Sequence, residues 1–319
     1  MESLTLANGA TLQNGKYRVE EVIGKGGFGI TYRAEHTLLR ATVAIKELFV
    51  SGQNIYCTRE SGNTVIPNFD TFADFRKNFL EEASLLSRFR GVGGIVQVRD
   101  IFEENETVYF VMDYIEGKSL RAYVLEQPQQ RLSEAESLRL CIPLVDTLER
   151  VHQEKILHRD INPNNILLEK ASQRLMLIDF GISREYEEGI TLTQTAFKTP
   201  GYAAPEQGAR RARRGAFTDI FSFGGVLYFM LTGERPPTSD ERNLEGFIPP
   251  KRLNGTVSDA LDAVITQALE LRPEARFASC QALREALLKT PHHSDSPADD
   301  DSTEVDTPGP GPQPSSGSA

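Results

Sequence analysis

Between Tyr17 and about Tyr114 the apolar residues fall in short runs, "YRVEEVI", "ITYRAEH", "TVAIKEL" and "TVYFVMDY", divided by glycine or polar turns. Runs of this length, rich in β-branched and aromatic side chains, predict strands, and the turns between them predict a small sheet. One stretch between the third and last runs keeps another period: Phe75, Phe79, Glu82, Leu86 and Phe89 are spaced by four and three, the stripe of an amphipathic helix packed on that sheet. Glu82 interrupts the apolar stripe, whereas Glu81 falls on a different face. A carboxylate turned toward a core needs a cationic partner, because an unpaired one costs several kcal/mol.

From about Leu120 the period becomes helical throughout, in "SEAESLRLCIPLVDTLERVHQ", "FTDIFSFGGVLYFMLTG" and "VSDALDAVITQALE". Ser133 with Glu136 three residues later predicts a capping box at the first of these helices, and "TGERPP" closes the second with glycine and proline. After Lys289 almost no apolar residues remain among many Pro, Ser, Gly and Asp. Such a segment buries too little surface to offset the entropy of ordering, so 290–319 reads as a disordered acidic tail. The expected organisation is a 1–16 N-terminal extension, a body at 17–289 divided near 113/114 into a mainly β and a mainly α part, and the tail; the class is α+β.

Composition narrows the function. The chain has 319 residues, 39% hydrophobic and 25% charged, enough for two lobes with cores of their own. The formal charge of −10 is largely a property of the tail, where Asp295, Asp299, Asp300, Asp301, Glu304 and Asp306 stand without a Lys or Arg. The body, near −4 without those six, has no general affinity for nucleic acid. The run Arg210, Arg211, Arg213, Arg214 reads as a solvated loop before it reads as a site for an acidic partner. Cys57, Cys141 and Cys280 are too few and too scattered for a disulfide framework or zinc site, which fits a reducing compartment. The start "MESLTLANGATLQNGK" lacks the features of a signal peptide, and the apolar run Phe221 to Leu231 is too short to span a bilayer. The expected location is cytoplasmic.

Chemistry enters with "IGKGGFGITY". Gly24, Gly26 and Gly29 share the spacing of dinucleotide folds, but there the last glycine opens a helix, and here "ITYRAEH" reads as a strand. A glycine-rich hairpin lying over phosphates is favoured, its tip made of Lys25, Gly27 and Phe28. Lys46 lies on an apolar strand and needs anionic partners; Glu82 is the available one, and the pair can hold α and β phosphates. "HRD" at 158–160, Asn165 and "DFG" at 179–181 bring small polar groups to the ends of strand-like runs. Asn165 and Asp179 offer the oxygens Mg²⁺ prefers. Asp160 is placed to receive the hydrogen of an attacking hydroxyl. A free aspartate titrates near about 3.9, so orientation comes first and proton transfer late.

These residues, in this order, resemble the protein kinases from about Tyr17 to Lys289, and "GKGGFGITYRA" and "TPGYAAPEQ" are similar to the eukaryotic-like serine/threonine kinases of bacteria. The resemblance implies a two-lobed protein kinase fold, with a small mainly β N-lobe carrying one key helix and a larger mainly α C-lobe. It implies ATP under the Gly24–Gly29 loop, Asp160 as catalytic aspartate, and Asn165 with Asp179 on Mg²⁺, Mn²⁺ being the alternative ion. It further implies that Met112 guards the adenine pocket, that backbone groups of Asp113 and Ile115 bond adenine, and that Ala44 and Leu167 cover its faces. Thr31 replaces the valine that usually closes this pocket. Thr199 takes the place that hydrogen-bonds the catalytic aspartate in serine/threonine kinases, so protein substrates with Ser or Thr are implied. Glu206 is expected to pair with Arg276, and Asp219 to bind the catalytic-loop backbone. Arg159 would meet a phosphorylated Thr191, Thr193 or Thr195, and tail hydroxyls such as Ser294, Ser296, Ser302, Thr303 and Thr307 are further targets for autophosphorylation.

Two departures stand out. The insertion "ELFVSGQNIYCTRESGNTVIPNFDTF" between Lys46 and Glu82 predicts an extra hairpin or flap, and makes the choice of Glu82 rest on helix phase. Asn162 replaces the family's lysine, a donor to the transferring phosphoryl group whose loss typically costs about 10²–10³ in rate. Against accelerations of at least about 10⁶, that impairs catalysis without abolishing it. Lys198 is a candidate source of the missing charge. An active Mg·ATP-dependent serine/threonine kinase is the leading reading, a pseudokinase scaffold the alternative. A small-molecule phosphotransferase is disfavoured by "TPGYAAPE" and Arg276.

Overall fold

Strand-forming runs at the start of the chain assemble into one antiparallel sheet, and the computed structural model describes it within residues 4–52, 54–60, 63–180, 199–208 and 212–291. Gly181, Thr191, Thr193, Thr195, Lys198, Arg210, Arg211 and the tail hydroxyls lie outside the described residues. The chain runs through β1 (Thr11–Leu12), β2 (Tyr17–Lys25), β3 (Gly29–His36) and β4 (Ala41–Leu48), then a separate hairpin of β5 (Cys57–Glu60) and β6 (Thr64–Pro67). Helix α1 (Phe72–Arg88) follows, and β7 (Val98–Glu104) and β8 (Thr107–Asp113) complete a six-stranded sheet ordered β1-β2-β3-β4-β8-β7. The hairpin β5–β6 is the extra element that the long insertion suggested.

Helix α1 buries Phe75, Phe79, Glu82, Ala83 and Leu86 together with Asn78. Its stripe is the one read from the spacing, and the Phe79 ring lies 4.9 Å from Phe110 of β8, so the helix rests on the sheet. Residues 4–16 do more than extend the chain. Leu6 and Leu12 are buried in the sheet's core, β1 pairs with Tyr17 and Arg18, and the Leu6 amide donates to the Tyr32 hydroxyl at 3.2 Å.

The second lobe contains β9 (Gly117–Ser119), α2 (Leu120–Leu125), α3 (Glu134–Gln153), β10 (Ile166–Glu169), β11 (Leu175–Leu177), α4 (Ala216–Thr232), α5 (Ser239–Glu245), α6 (Pro250–Leu253), α7 (Asp259–Ala268) and α8 (Cys280–Leu288). Every residue of α4 from Thr218 to Leu231 is buried, the signature of a central helix wrapped on all sides. It ends at Gly233 in a left-handed conformation, where a Cβ would sit 2.4 Å from the Gln130 carbonyl oxygen, so only glycine fits. At α3 the capping box is half formed: Ser133 accepts from the Glu136 amide at 3.2 Å, but the Glu136 carboxylate takes the Tyr123 hydroxyl instead of reaching back. The lobes meet where Phe180 stacks on Phe89 of the first (5.9 Å) and lies against His158 of the second (4.4 Å).

Candidate active site

A cleft of about 800 Å³ opens between the lobes, a size suited to a nucleotide. Its roof is the β2–β3 hairpin, with Gly24, Lys25, Gly26, Gly27, Phe28, Gly29 and Thr31; its back holds Ala44, Lys46, Met112, Asp113 and Ile115. Asp160, Asn162, Asn165, Leu167, Asp179 and Thr199 form the floor. Thus all the residues singled out from the sequence line this cleft except Glu82, which lies behind Lys46. The glycine run is strand–turn–strand, closed by Gly26 N–H to the Gly29 carbonyl at 2.8 Å. At Gly29 a Cβ would fall 2.8 Å from the Glu47 carbonyl oxygen, so β3 and β4 approach as only glycine permits.

Lys46 reaches from β4 to two acids, Glu82 Oε1 at 3.0 Å and Asp179 Oδ1 at 2.7 Å. Burial opposes the lysine's charge, but these carboxylates outweigh it and raise its pKa. Burial pushes Glu82 up to about 6, with Lys46 pulling the other way and Asp179 adding like charge. The Asp179 backbone is left-handed (φ 55°), and its carboxylate remains 40% exposed while Glu82 is 2% exposed. Asp179 is therefore the acid that faces the cleft.

On the floor, the Asp160 carboxylate is gripped by neutral donors. Thr199 Oγ1 donates to Oδ1 at 3.0 Å, Asn162 Nδ2 to the same oxygen at 3.1 Å, and Asn165 Nδ2 to Oδ2 at 2.7 Å. Asn162 and Asn165 also donate to the Asp160 carbonyl, and the Asn162 amide oxygen accepts from Asn164 N–H at 3.0 Å. Asn162 is thus a buried brace of the loop. Because Asn165 spends its nitrogen on Asp160, its oxygen is directed away, and with Asp179 it makes an all-oxygen donor pair. Such a pair suits a hard cation that keeps waters and is held mainly by substrate phosphates. Consistently, no cluster of three or more His, Cys, Asp or Glu able to cage a metal occurs among the described residues.

The loop is anchored from below. Asp219 of α4 accepts from the backbone amides of His158 and Arg159, each at 2.8 Å, and from His152 Nε2 at 2.8 Å. Burial works against its charge, yet these donors hold its pKa below the ordinary value. His158, fully buried, is pushed down by desolvation and stays a neutral imidazole against Phe180. Glu206 and Arg276 form a buried two-pronged pair at 2.8 and 3.1 Å, as expected from their types.

Several participants carried no readable signal. Gln207 Nε2 donates to the Arg159 carbonyl at 2.6 Å and ties "TPGYAAPEQ" to the catalytic loop. A Cβ at Gly117 in the cleft would sit 2.1 Å from the Leu168 carbonyl oxygen, so its glycine is compulsory. Ile178 also lines the cleft, and the apolar run ahead of Asp179 was its only clue. Most unexpected is Glu47, fully buried, which pairs with Arg59 from the inserted hairpin and accepts from the Tyr32 and Tyr109 hydroxyls, both at 2.7 Å.

A protein kinase domain family model matches residues 17–288. Serine/threonine-protein kinase C of Synechocystis sp. is 33% identical over 285 residues, 86% of this chain and 50% of that protein. PknA of Nostoc sp. is 30% identical over 283 residues (86% and 47%), and PrkC of Bacillus subtilis 30% over 292 (88% and 41%). The chain spans half or less of the length of these relatives. Among solved structures, PpkA-294 in its apo form aligns with a TM-score of 0.75 at 33% identity, covering 89% of this chain and all of that one. The PknI kinase domain from Mycobacterium tuberculosis aligns with a TM-score of 0.65 at 25% identity, covering 89% and 98%. Use of ATP with a divalent metal ion and action on proteins are general to the matched family. With its motifs gathered in one interlobe cleft, the chain belongs to the protein kinase domain family, in the serine/threonine branch found in bacteria.

Proposed function

We propose that this chain transfers the γ-phosphoryl group of ATP to serine and threonine hydroxyls of proteins, itself included. The observation that carries the reading is the Asp160 carboxylate, fixed by Thr199, Asn162 and Asn165 in the same cleft as the Lys46–Glu82–Asp179 chain. A protein that only bound nucleotide would have no use for an aspartate so restrained.

In this reading the glycine-rich hairpin, from Gly24 to Gly29, covers the phosphates and Lys46 holds the α and β groups, positioned by Glu82. Ala44, Thr31, Met112 and Leu167 enclose adenine. Ile115 and Asp113 supply its backbone contacts, which for Asp113 fall to the carbonyl, since its amide is bonded to the Gln97 carbonyl at 3.0 Å. Asp160 orients the acceptor hydroxyl through one carboxylate oxygen. A bond forms from that hydroxyl oxygen to phosphorus as the bond to ADP breaks, and the hydroxyl proton passes late to Asp160. Asn165 and Asp179 would hold Mg²⁺, with Mn²⁺ as a substitute, and the ion supplies charge neutralisation along the phosphates. Thr199 aligns the serine or threonine acceptor beside Asp160.

The kinase unit is taken as 17–289, with residues 4–16 serving its first lobe. Thr191, Thr193 and Thr195 are proposed autophosphorylation sites, with Arg159 as the receiving cation and Lys198 as a supplementary charge near the phosphoryl group. Need for ATP and three buried reduced thiols, Cys57, Cys141 and Cys280, favour the cytoplasm. Among the described residues no helix is long and apolar enough to cross a membrane.

The test is transfer of labelled γ-phosphate to the chain and to a generic basic protein, wild type against Asp160→Asn. Incorporation into serine and threonine that disappears in the variant supports the reading. Nucleotide binding without incorporation in the wild type leaves a scaffold, and overturns it.

A further inference from the structure

The insertion reaches the nucleotide site as well as the sheet. Beyond the last paired residues of β3 and β4, Gly29 and Leu48, the two strands do not part. The Phe49 amide donates to the Phe28 carbonyl at 3.2 Å, the Ser51 amide to the Gly27 carbonyl at 2.8 Å, and Ser51 Oγ to the Gly26 carbonyl at 3.0 Å. Three successive carbonyls at the tip of the glycine-rich hairpin are therefore held by residues 49–51. A hairpin built from so many glycines has little rigidity of its own, since each glycine leaves the backbone free. Its order here comes from outside.

What holds residues 49–51 is the rest of the insertion. Ser51 bridges to Tyr56, Cys57 N–H donates to the Val50 carbonyl at 2.7 Å, and the chain continues into the β5–β6 hairpin. That hairpin is fastened by the buried Arg59–Glu47 pair and by the Val65 amide on the Asn105 carbonyl at 2.9 Å. Its far end returns to the same loop. Phe69 meets Phe75 of α1 edge-on at 5.5 Å, and Phe28, from the hairpin tip, stacks on the same Phe75 ring at 5.7 Å. Both ends of the insertion thus bear on the glycine-rich loop, one through hydrogen bonds and one through an aromatic stack shared with the helix that carries Glu82.

We propose that the insertion, acting through Ser51 and Phe69, is an internal strap that positions the glycine-rich loop over the nucleotide and couples it to α1. Ser51 and Phe69 are positioning residues that act on ATP through the loop. This inference rests on the kinase reading, and its test separates the two. Ser51→Ala deletes one bond to the loop, Phe69→Ala deletes the stack, and Ser51→Thr keeps the hydroxyl.

Hydrogen exchange of the 26–29 amides in the nucleotide-free intact chain is expected to quicken about fivefold in Ser51→Ala and in Phe69→Ala, and to match wild type in Ser51→Thr, the scale of one ordinary hydrogen bond. In transfer assays KM for ATP is expected to rise by a similar factor with kcat within about twofold, a split that loss of folded protein would not produce. Unchanged exchange in both alanine variants overturns the strap. Quickened exchange with unchanged KM overturns its bearing on nucleotide. A wild type that transfers no phosphate defeats the kinase reading, and the exchange measurement still decides the strap.

Discussion

Asn162→Ala isolates what the unusual asparagine contributes. The substitution removes two donations to Asp160, to its carbonyl and to Oδ1 at 3.1 Å each, and the acceptor of the Asn164 amide at 3.0 Å. The bond that matters for rate is the one to the carboxylate, worth about 1.5–3 kcal/mol for a charged acceptor. If all of it is realised in the transition state, kcat falls between about tenfold and about 150-fold. The lower end is expected, because Thr199 still holds Oδ1 and Asn165 still holds Oδ2. KM for ATP should stay within about twofold, since the lost bonds are all within the catalytic loop. Initial rates of labelled phosphate transfer to a basic protein, across a series of ATP concentrations, give both constants. Thr199→Ala offers a control on the mechanism: both residues donate to the same oxygen, so the double variant should lose less than the product of the single losses. Asn162→Lys, which keeps a donor and adds charge, should transfer at least as fast as Asn162→Ala. A kcat for Asn162→Ala within about twofold of wild type, in a protein that melts normally, would refute the bracing role.

Three further outcomes follow from the geometry. Glu82, raised to about 6 from 4.5, pairs as a carboxylate with Lys46 only above that range, so kcat/KM should fall as pH drops through about 6, and Glu82→Gln should lack this step. For folding the sign is opposite: with its folded pKa raised, Glu82 contributes stability that is complete below about 4.5 and lost as pH rises through about 6, measurable as a smaller pH slope of urea unfolding in Glu82→Gln. Arg276→Met strands the buried Glu206 and should destabilise the chain by about 3–5 kcal/mol in denaturant titrations, whereas replacing both partners with apolar residues should cost much less. Gly29→Ala forces a Cβ to within 2.8 Å of the Glu47 carbonyl oxygen and should lower kcat/KM at least about tenfold, while Gly26→Ala, with nothing nearer than 3.7 Å, should be milder; the reverse order would contradict the packing.

Legibility in the sequence tracked the physical origin of each feature. The α1 stripe was readable because a helix lying on a sheet must repeat its apolar residues near every 3.6 positions, and that phase picked Glu82 over Glu81 despite the insertion. The glycine hairpin was readable because a strand, not a helix, followed it. Glu47 was not. An acid beside Lys46 on a strand reads as solvent-facing, and only the folded insertion brings Arg59 over it. Leu6 and Leu12, isolated apolar residues in a polar run, carry no period at all, so their burial was equally hidden. Gln207 and Gly117 act through backbone contacts across the fold, which side-chain patterns do not record. The half-formed box at Ser133 shows a local motif yielding to a tertiary competitor, the Tyr123 hydroxyl.

The packing of residues 4–16 bears on how a fragment should be cut. The family match begins at residue 17, yet the Arg59 guanidinium donates to the Leu4 carbonyl at 3.0 Å and the Tyr32 hydroxyl receives the Leu6 amide. A recombinant piece started at the family boundary would strip an acceptor from a buried cation and uncover the groove that Leu6 and Leu12 fill. Cloning limits borrowed from relatives would then yield aggregated material, and an inactive preparation would reflect the scissors and not the enzyme.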